Sequence, residues 1–201
     1  MKYFAVKNRC AVDLESLNLP ISREETLQIL CRKGFEFVNV DVIELARECV
    51  ANSKYSRGAR LKDAPSTVDC SSLIKWLYGM RGIWLPRRSI QQRELGESVD
   101  LDYLCSGDVV FVSGWIDYYN NDPNDGVGHV GIATGEGSVI HAGGKDVGVI
   151  ESSIKNFVGE TKFRGIRRYI PKNSEVLTLI TPPNREIEMS DDIRWVVLQS
   201  L

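Results

Sequence analysis

The chain has 201 residues, and its 25 lysines and arginines nearly balance 27 aspartates and glutamates. A chain of this length, with 43% hydrophobic residues, can bury one domain core without a disulfide or a metal ion. The net charge of -2 gives no electrostatic reason to bind nucleic acid or an anionic membrane. The five cysteines are irregularly spaced, and no CxxC or HxxxH motif accompanies the two histidines. The sequence therefore predicts neither a disulfide framework nor a zinc site.

The first 19 residues lack the unbroken apolar stretch of a signal peptide, because charged residues interrupt them. No run approaches the roughly 18 apolar residues that a membrane span needs. We therefore expect a soluble protein without membrane insertion, which is either cytoplasmic or released by a route other than a conventional signal peptide.

A capping-box pattern formed by Ser22 and Glu25 opens the first predicted helix, over residues 22–33, and Gly34 follows it as a stop. Asp41 is the expected N-cap of a second helix, whose apolar side includes Cys49. Two helices therefore come first in the chain.

Residues 52–68 have the composition of a loop and lead into a third helix that is expected to begin beside Cys70. Beyond Gly82, short apolar runs separated by Gly, Asp and Asn are typical of strands. The predicted strands cover residues 109–112, 130–134, 138–142, 147–151 and 165–170. Helices followed by a meander of strands indicate an α+β fold with an antiparallel sheet.

Residues 114–128 form a long insertion between two predicted strands, and loops of this kind are often functional. The insertion lacks the glycine and glutamate positions of an EF-hand, so we predict no calcium site there. Residues 193–198 are predicted as a final strand. We expect a domain over residues 41–170, an N-terminal extension over 1–40, and a C-terminal extension over 171–201 that packs on the same domain.

Cys70 stands at the start of a predicted helix, where the positive end of the helix dipole and unpaired N–H groups favour a thiolate. The same N–H groups can stabilise an oxyanion that forms when the sulfur attacks a carbonyl group. A single cysteine is more often buried and inert, so its position alone does not assign chemistry.

His129 and His141 fall on consecutive predicted strands joined by a turn at residues 135–137. Because 141 minus 129 is 12, an even number, both side chains should lie on one face of the sheet unless a bulge intervenes. There His129 can accept the thiol proton while His141 orients it. Taken singly, each histidine more often has an ordinary core or surface role.

These residues stand within short segments that follow one another in a familiar order. The segments are Asp69 to Leu73 (DCSSL), Gly82 to Arg87 (GIWLPR), Gln92, Gly107 to Phe111 (GDVVF), His129 to Ile132 (HVGI) and Ile140 to Ala142 (IHA). In order and spacing, over about residues 41–152, the chain resembles the NlpC/p-sixty family of papain-like cysteine peptidases. The resemblance implies a papain-like domain, with the nucleophile at a helix N-terminus packed on an antiparallel sheet of about five strands.

The resemblance implies that Cys70 is the nucleophile, His129 the general base and later acid, and His141 the third polar residue. The reaction would hydrolyse an amide bond in a bacterial cell-wall peptide or muropeptide through a thioester, typically between D-glutamate and a diamino acid, without cofactor or metal. Two alternatives remain open: a papain-like amidase or acyltransferase acting on a different substrate, and an inactive binding module.

Three further residues are implied by the same resemblance. Tyr55 matches the family tyrosine that faces the active site, and Asp69 and Ser71 match positions that help to bind the amine end of the peptide. The chain departs from the family at Ser72, where glycine is usual, and at residues 56–60, where a Trp-Gly-Gly-like run is usual. We therefore expect the catalytic residues to follow the family more closely than the substrate contacts do.

Overall fold

The structure is a computed structural model that describes residues 2–114 and 126–201, so most of the predicted insertion lies outside the described residues. The helices are α1 (Arg23–Arg32), α2 (Val42–Cys49), α3 (Cys70–Met80), α4 (Ser89–Arg93), α5 (Ile154–Val158) and α6 (Ser190–Leu198). The strands are β1 (Arg9–Asp13), β2 (Glu36–Val38), β3 (Lys54–Tyr55), β4 (Thr67–Val68), β5 (Glu97–Val99), β6 (Val109–Val112), β7 (His129–Ala133), β8 (Ser138–Gly144), β9 (Gly148–Ser153), β10 (Phe163–Arg168) and β11 (Val176–Ile180). None of the helices in the described part of the chain has the length and apolar character needed to cross a membrane.

The chain divides into two compact units, each built from separate stretches of sequence. Unit 1 consists of Met1–Asp41, Tyr78–Trp84 and Lys172–Leu201. Unit 2 consists of Val42–Leu77 and Leu85–Pro171. The expected packing of residues 171–201 on the 41–170 domain stays a prediction.

Unit 1 contains a three-stranded antiparallel sheet in the order β1, β11, β2. The predicted first helix is confirmed as α1, and its capping box is formed. The Ser22 hydroxyl accepts a hydrogen bond from the Glu25 N–H, and the Glu25 carboxylate accepts one from the Ser22 N–H at 2.9 Å. The core of this unit includes Leu30, Leu179 and Ile193, all fully buried.

The final strand predicted over residues 193–198 is wrong, because these residues belong to helix α6. Ile193, Val196 and Val197 are buried, whereas Trp195 is 56% exposed. Burial at positions i, i+3 and i+4 is the pattern of a helix, whereas a strand would place residues 193, 195 and 197 on one face. A short apolar run does not separate these two patterns by composition alone.

Unit 2 contains a six-stranded antiparallel sheet in the order β5, β10, β6, β7, β8, β9. The five strands predicted from the sequence are confirmed as β6 to β10, and β5 is an additional edge strand. The predicted helix beside Cys70 is confirmed as α3. Within residues 52–68, which resemble a loop in composition, β3 and β4 form a short parallel pair. The α+β fold class is therefore confirmed.

We predict that Ile193→Ala lowers the free energy of unfolding by about 2–5 kcal/mol, because it leaves a cavity in the core of unit 1. Urea unfolding followed by circular dichroism measures this change. The matched control on the same helix is Trp195→Ala, which removes a largely exposed side chain and should cost less than about 1 kcal/mol. Equal losses in the two variants would contradict the helical assignment of this segment.

Candidate active site

Helix α3 begins at Cys70 because the two residues that flank its first turn cap each other. The Asp69 carboxylate accepts a hydrogen bond from the Ser72 N–H at 2.8 Å, and the Ser72 hydroxyl accepts one from the Asp69 N–H at 2.8 Å. Such reciprocal capping satisfies two backbone donors at a helix N-terminus. Ser72, which departs from the usual family glycine, therefore helps to fix the position of the Cys70 turn.

The Asp69 carboxylate is surrounded by donors. Arg87 donates to both of its oxygens, the Gly58 N–H donates to Oδ2 at 2.9 Å, and the Ser71 hydroxyl lies 3.3 Å from Oδ1. Together with the Ser72 N–H, these groups occupy the roughly four acceptor positions of a carboxylate. Burial raises the pKa of Asp69, but the hydrogen bonds from Arg87 and Ser72 outweigh this effect and lower it overall. Asp69 is therefore ionised and fully engaged at neutral pH.

Cys70 is half-buried, and the backbone N–H groups of Ser71 and Val130 lie close enough to its sulfur to lower the pKa of the thiol. Burial and the nearby Asp69 carboxylate raise the pKa of the thiol to about 11, although the two N–H groups and the Arg87 guanidinium lower it. This direction is opposite to the one expected from the helix N-terminus alone. The resting sulfur is therefore a neutral thiol at pH 7.

The two histidines meet on one face of the sheet, which confirms the prediction from their even separation. Nε2 of His129 lies 2.9 Å from Nδ1 of His141, and the adjoining strands β7 and β8 pair without a bulge. Gly131 permits this approach, because a Cβ atom there would lie 3.0 Å from the Cβ of His141. Val130, whose backbone N–H lowers the pKa of the Cys70 thiol, directly follows His129. The structure therefore brings the two imidazoles together, next in the chain to a residue whose N–H acts on Cys70.

The imidazole pair is enclosed by side chains from the next two elements. The Phe157 ring from α5 packs against both imidazoles, with centroid distances of 5.4 Å to His129 and 4.8 Å to His141. The Ser152 hydroxyl on β9 lies 3.0 Å from Nε2 of His141. Both ring nitrogens of His141 are therefore engaged.

Burial keeps both imidazoles neutral. Burial, the neighbouring His141 and Lys162 lower the pKa of His129 to about 3. Burial lowers the pKa of His141 to about 4. At neutral pH each ring therefore carries one proton, and His129 is in the form that can accept another.

Tyr55 lies on β3 and pairs with Val68 of β4. Val68 stands two residues before Cys70 in the sequence. Its side chain is half-buried, and burial raises its pKa, as do the nearby Asp69 carboxylate and, when it is ionised, the Cys70 sulfur. The phenol therefore keeps its proton at neutral pH and can donate a hydrogen bond near the sulfur.

Several residues of this site carry no signal in the sequence that marks them as functional. Arg87 stands in a segment that the family resemblance includes, but its pairing with Asp69 depends on the loop geometry. Phe157 and Ser152 lie in elements whose register brings them to the histidines, and no local pattern marks them. Within residues 2–114 and 126–201, no cluster of three or more histidine, cysteine or acidic side chains is arranged to hold a metal ion.

The chain is similar to known proteins over the part that contains Cys70, His129 and His141. Residues 52–168, more than half of the chain, match the model of the NlpC/P60 family. The chain is 33% identical over 118 residues to gamma-DL-glutamyl hydrolase of Bacillus subtilis, covering 56% of this chain and 27% of that protein. It is 30% identical over 105 residues to gamma-D-glutamyl-L-lysine dipeptidyl-peptidase of Bacillus cereus, covering 51% of this chain and 29% of that protein. The chain therefore spans less than a third of the length of either relative.

A solved structure shows the same similarity in three dimensions. An NlpC/P60 family protein from Bacillus cereus superposes with a TM-score of 0.55 at 25% sequence identity, covering 65% of this chain and 40% of that one.

We predict that lowering the pH from 7 to 5 destabilises the folded protein. The unfolded chain takes up protons on His129 and His141 at their ordinary pKa of about 6.5, whereas the folded forms, with pKa values of about 3 and 4, do not. Stability is therefore lost as the pH falls below 6.5, by at most about 2 kcal/mol per histidine at pH 5. Urea unfolding at the two pH values measures this loss.

The control for this prediction is His141→Gln, which cannot titrate. Its free energy of unfolding should fall by about half as much between pH 7 and pH 5, whatever its stability at pH 7. The carboxylate of Asp69, with its lowered pKa, contributes only at more acidic pH. The same pH dependence in both proteins would contradict the neutral state of buried His141.

Proposed function

Because the chain belongs to the NlpC/P60 family, we propose that it is a cysteine peptidase that hydrolyses an amide bond in bacterial cell-wall peptides. The observation that carries this proposal is the arrangement of the sulfur and the imidazoles. The backbone N–H of Val130, the residue that follows His129, acts on the Cys70 thiol by lowering its pKa, and Nε2 of His129 is hydrogen-bonded to Nδ1 of His141. A nucleophile, a base and a group that orients the base are the three parts that covalent amide hydrolysis requires.

In the first half-reaction, Nδ1 of His129 accepts the proton of the Cys70 thiol, because Nε2 is already bound to His141. The sulfur forms a bond to the substrate carbonyl carbon, and the carbonyl oxygen becomes an oxyanion. When the oxyanion collapses, the C–N bond breaks, and the amine leaves with the proton held by His129. A thioester on Cys70 remains.

In the second half-reaction, His129 takes a proton from water as the water oxygen attacks the thioester carbon. The C–S bond then breaks, the carboxylic acid is released, and the proton returns to the Cys70 sulfur. Proton transfer of this kind contributes about 10²–10⁴-fold to the rate of such reactions. No cofactor enters this scheme.

The developing oxyanion needs donors that are already in place. The backbone N–H of Cys70 opens helix α3, and the raised pKa of Tyr55 keeps its phenol protonated. We assign these two groups to the oxyanion, because positioned donors are most effective where the charge develops.

Asp69 and Ser71 remain proposed contacts for the amine end of the substrate, as the family resemblance implies. The hydrogen bonds of Asp69 favour a structural role over a substrate contact, because its carboxylate already accepts from Arg87, Ser72 and Gly58. We propose that Asp69 acts mainly by fixing the helix turn that carries Cys70. The Ser71 hydroxyl, which accepts from Arg87 at 2.8 Å, is held in the same network.

For the substrate, we propose the bond between D-glutamate and the following diamino acid of a muropeptide. The names of the Bacillus subtilis and Bacillus cereus relatives both describe cleavage at glutamyl bonds. The chain matches only part of those proteins, so the proposal concerns the reaction of this domain and not their full activities.

We predict that Cys70→Ala lowers kcat/KM on a muropeptide with a D-glutamyl-diamino acid bond by at least about 10⁴-fold, because the nucleophile is removed. Product masses followed over time by mass spectrometry measure the reaction. Cys105→Ala, which replaces another half-buried thiol, is the matched control and should retain the wild-type rate.

The same assay separates the alternatives. Transfer of the acyl group to an added amine, without release of the free acid, would identify an acyltransferase. Full activity of Cys70→Ala would contradict the assignment of the nucleophile. Absence of any covalent or hydrolytic product from the wild-type protein would favour a binding module.

We predict that kcat/KM stays near its maximum from pH 7 down to about pH 5, because the pKa of His129 is lowered to about 3 and the base form persists. Initial rates at a substrate concentration well below KM measure this profile, and circular dichroism at each pH verifies that the protein is folded. A decline in kcat/KM centred at pH 6.5 or above would show that the base has an ordinary imidazole pKa.

A further inference from the structure

Ser152 lies on β9, at the position that pairs with Val139 of β8, and its hydroxyl reaches the site from the strand beyond the histidines. Its Oγ lies 3.0 Å from Nε2 of His141, and Nδ1 of the same ring lies 2.9 Å from Nε2 of His129. The two imidazoles and the serine therefore form one continuous line of hydrogen bonds.

The direction of this line decides whether His129 can act as a base. A neutral imidazole carries one ring proton, on either Nδ1 or Nε2. To accept the thiol proton at Nδ1, His129 must carry its own proton on Nε2 and donate it to Nδ1 of His141. His141 must then carry its proton on Nε2, where the acceptor is Ser152.

The opposite direction disables the base. If the Ser152 hydroxyl donates to Nε2 of His141, the His141 proton moves to Nδ1 and points at Nε2 of His129. The His129 proton is then displaced to Nδ1, the nitrogen that has to be empty. Only one of the two directions is therefore compatible with proton transfer from Cys70.

We propose that Ser152 is a positioning residue that holds His141 in the tautomer protonated on Nε2 and so keeps Nδ1 of His129 free to accept the thiol proton. The proposal rests on the proposed function, because it takes His129 as the base. Ser152 acts only through His141. The Phe157 ring, which packs on both imidazoles, holds the ring planes but offers neither of them a conventional hydrogen-bond partner.

Nitrogen NMR tests the tautomer directly. The sequence has two histidines, so selective ¹⁵N labelling of histidine gives four ring-nitrogen signals. At pH 7, the wild-type protein should show His141 with a protonated Nε2 and an unprotonated Nδ1. In Ser152→Ala, the His141 signals should shift towards a mixture of both tautomers, because the acceptor for Nε2 is missing.

Two further variants serve as controls. Ser152→Thr keeps a hydroxyl on a strand and should restore the wild-type spectrum. Ser138→Ala removes a strand hydroxyl that bonds to Thr134 and Glu151 but does not reach the histidines, so it should leave the spectrum and the rate unchanged.

Kinetics provide the second readout. In Ser152→Ala, kcat on the muropeptide should fall about three- to ten-fold with little change in KM, which is the effect of losing one neutral hydrogen bond that orients the base. In a His141→Ala background, the Ser152 substitution should cause no further loss.

The proposal is overturned if wild-type His141 carries its proton on Nδ1, a result that does not depend on any variant folding. It is also overturned if Ser152→Ala leaves the His141 signals unchanged, or if its effect on kcat persists without His141. A wild-type protein that shows the expected spectrum but hydrolyses no muropeptide would contradict the proposed function and leave the tautomer assignment in place.

Discussion

The hydrogen bond between Nε2 of His129 and Nδ1 of His141 is the contact on which the rest of the site depends. It occupies Nε2 of His129, so in the proposed reaction Nδ1 is the nitrogen that accepts the thiol proton. The bond requires two strands paired without a bulge, and it requires a glycine at position 131, since a side chain there would push against His141. The pairing of β7 with β8 therefore determines which ring nitrogen of His129 is hydrogen-bonded to His141.

The charges around the sulfur follow from a competition between burial and backbone donors. The N–H groups of Ser71 and Val130 favour a thiolate, but burial and the Asp69 carboxylate oppose it more strongly. Arg87 donates to both Asp69 carboxylate oxygens, and its positive charge partly offsets the effect of that carboxylate on the pKa of Cys70. The resting site is consequently a neutral thiol beside neutral imidazoles, and separated charge arises only during the reaction, when the same donors can stabilise it.

The features that could be predicted from the sequence depend on one element or on two neighbouring ones. The Ser22 capping box lies within four residues, and the common face of His129 and His141 follows from parity across one short turn. The strand predicted around Trp195 is wrong, because six residues are too few to separate the periodicity of a helix from that of a strand. The contact between Ser152 and His141 could not be predicted from the sequence for a different reason. It depends on the register of a third strand, which the local sequence does not specify.

The strand order of unit 1 has a consequence for how the chain folds as it is synthesised. Strands β1 and β2 both pair only with β11 in this sheet, and β11 ends at Ile180. Until the ribosome has passed that residue, both strands present unpaired backbone edges, which are prone to association with other chains. The six strands of the other sheet lie between Glu97 and Arg168 and are all available earlier. The order of synthesis thus favours early closure of the sheet that carries the histidines, whereas the sheet built from the two ends of the chain closes last.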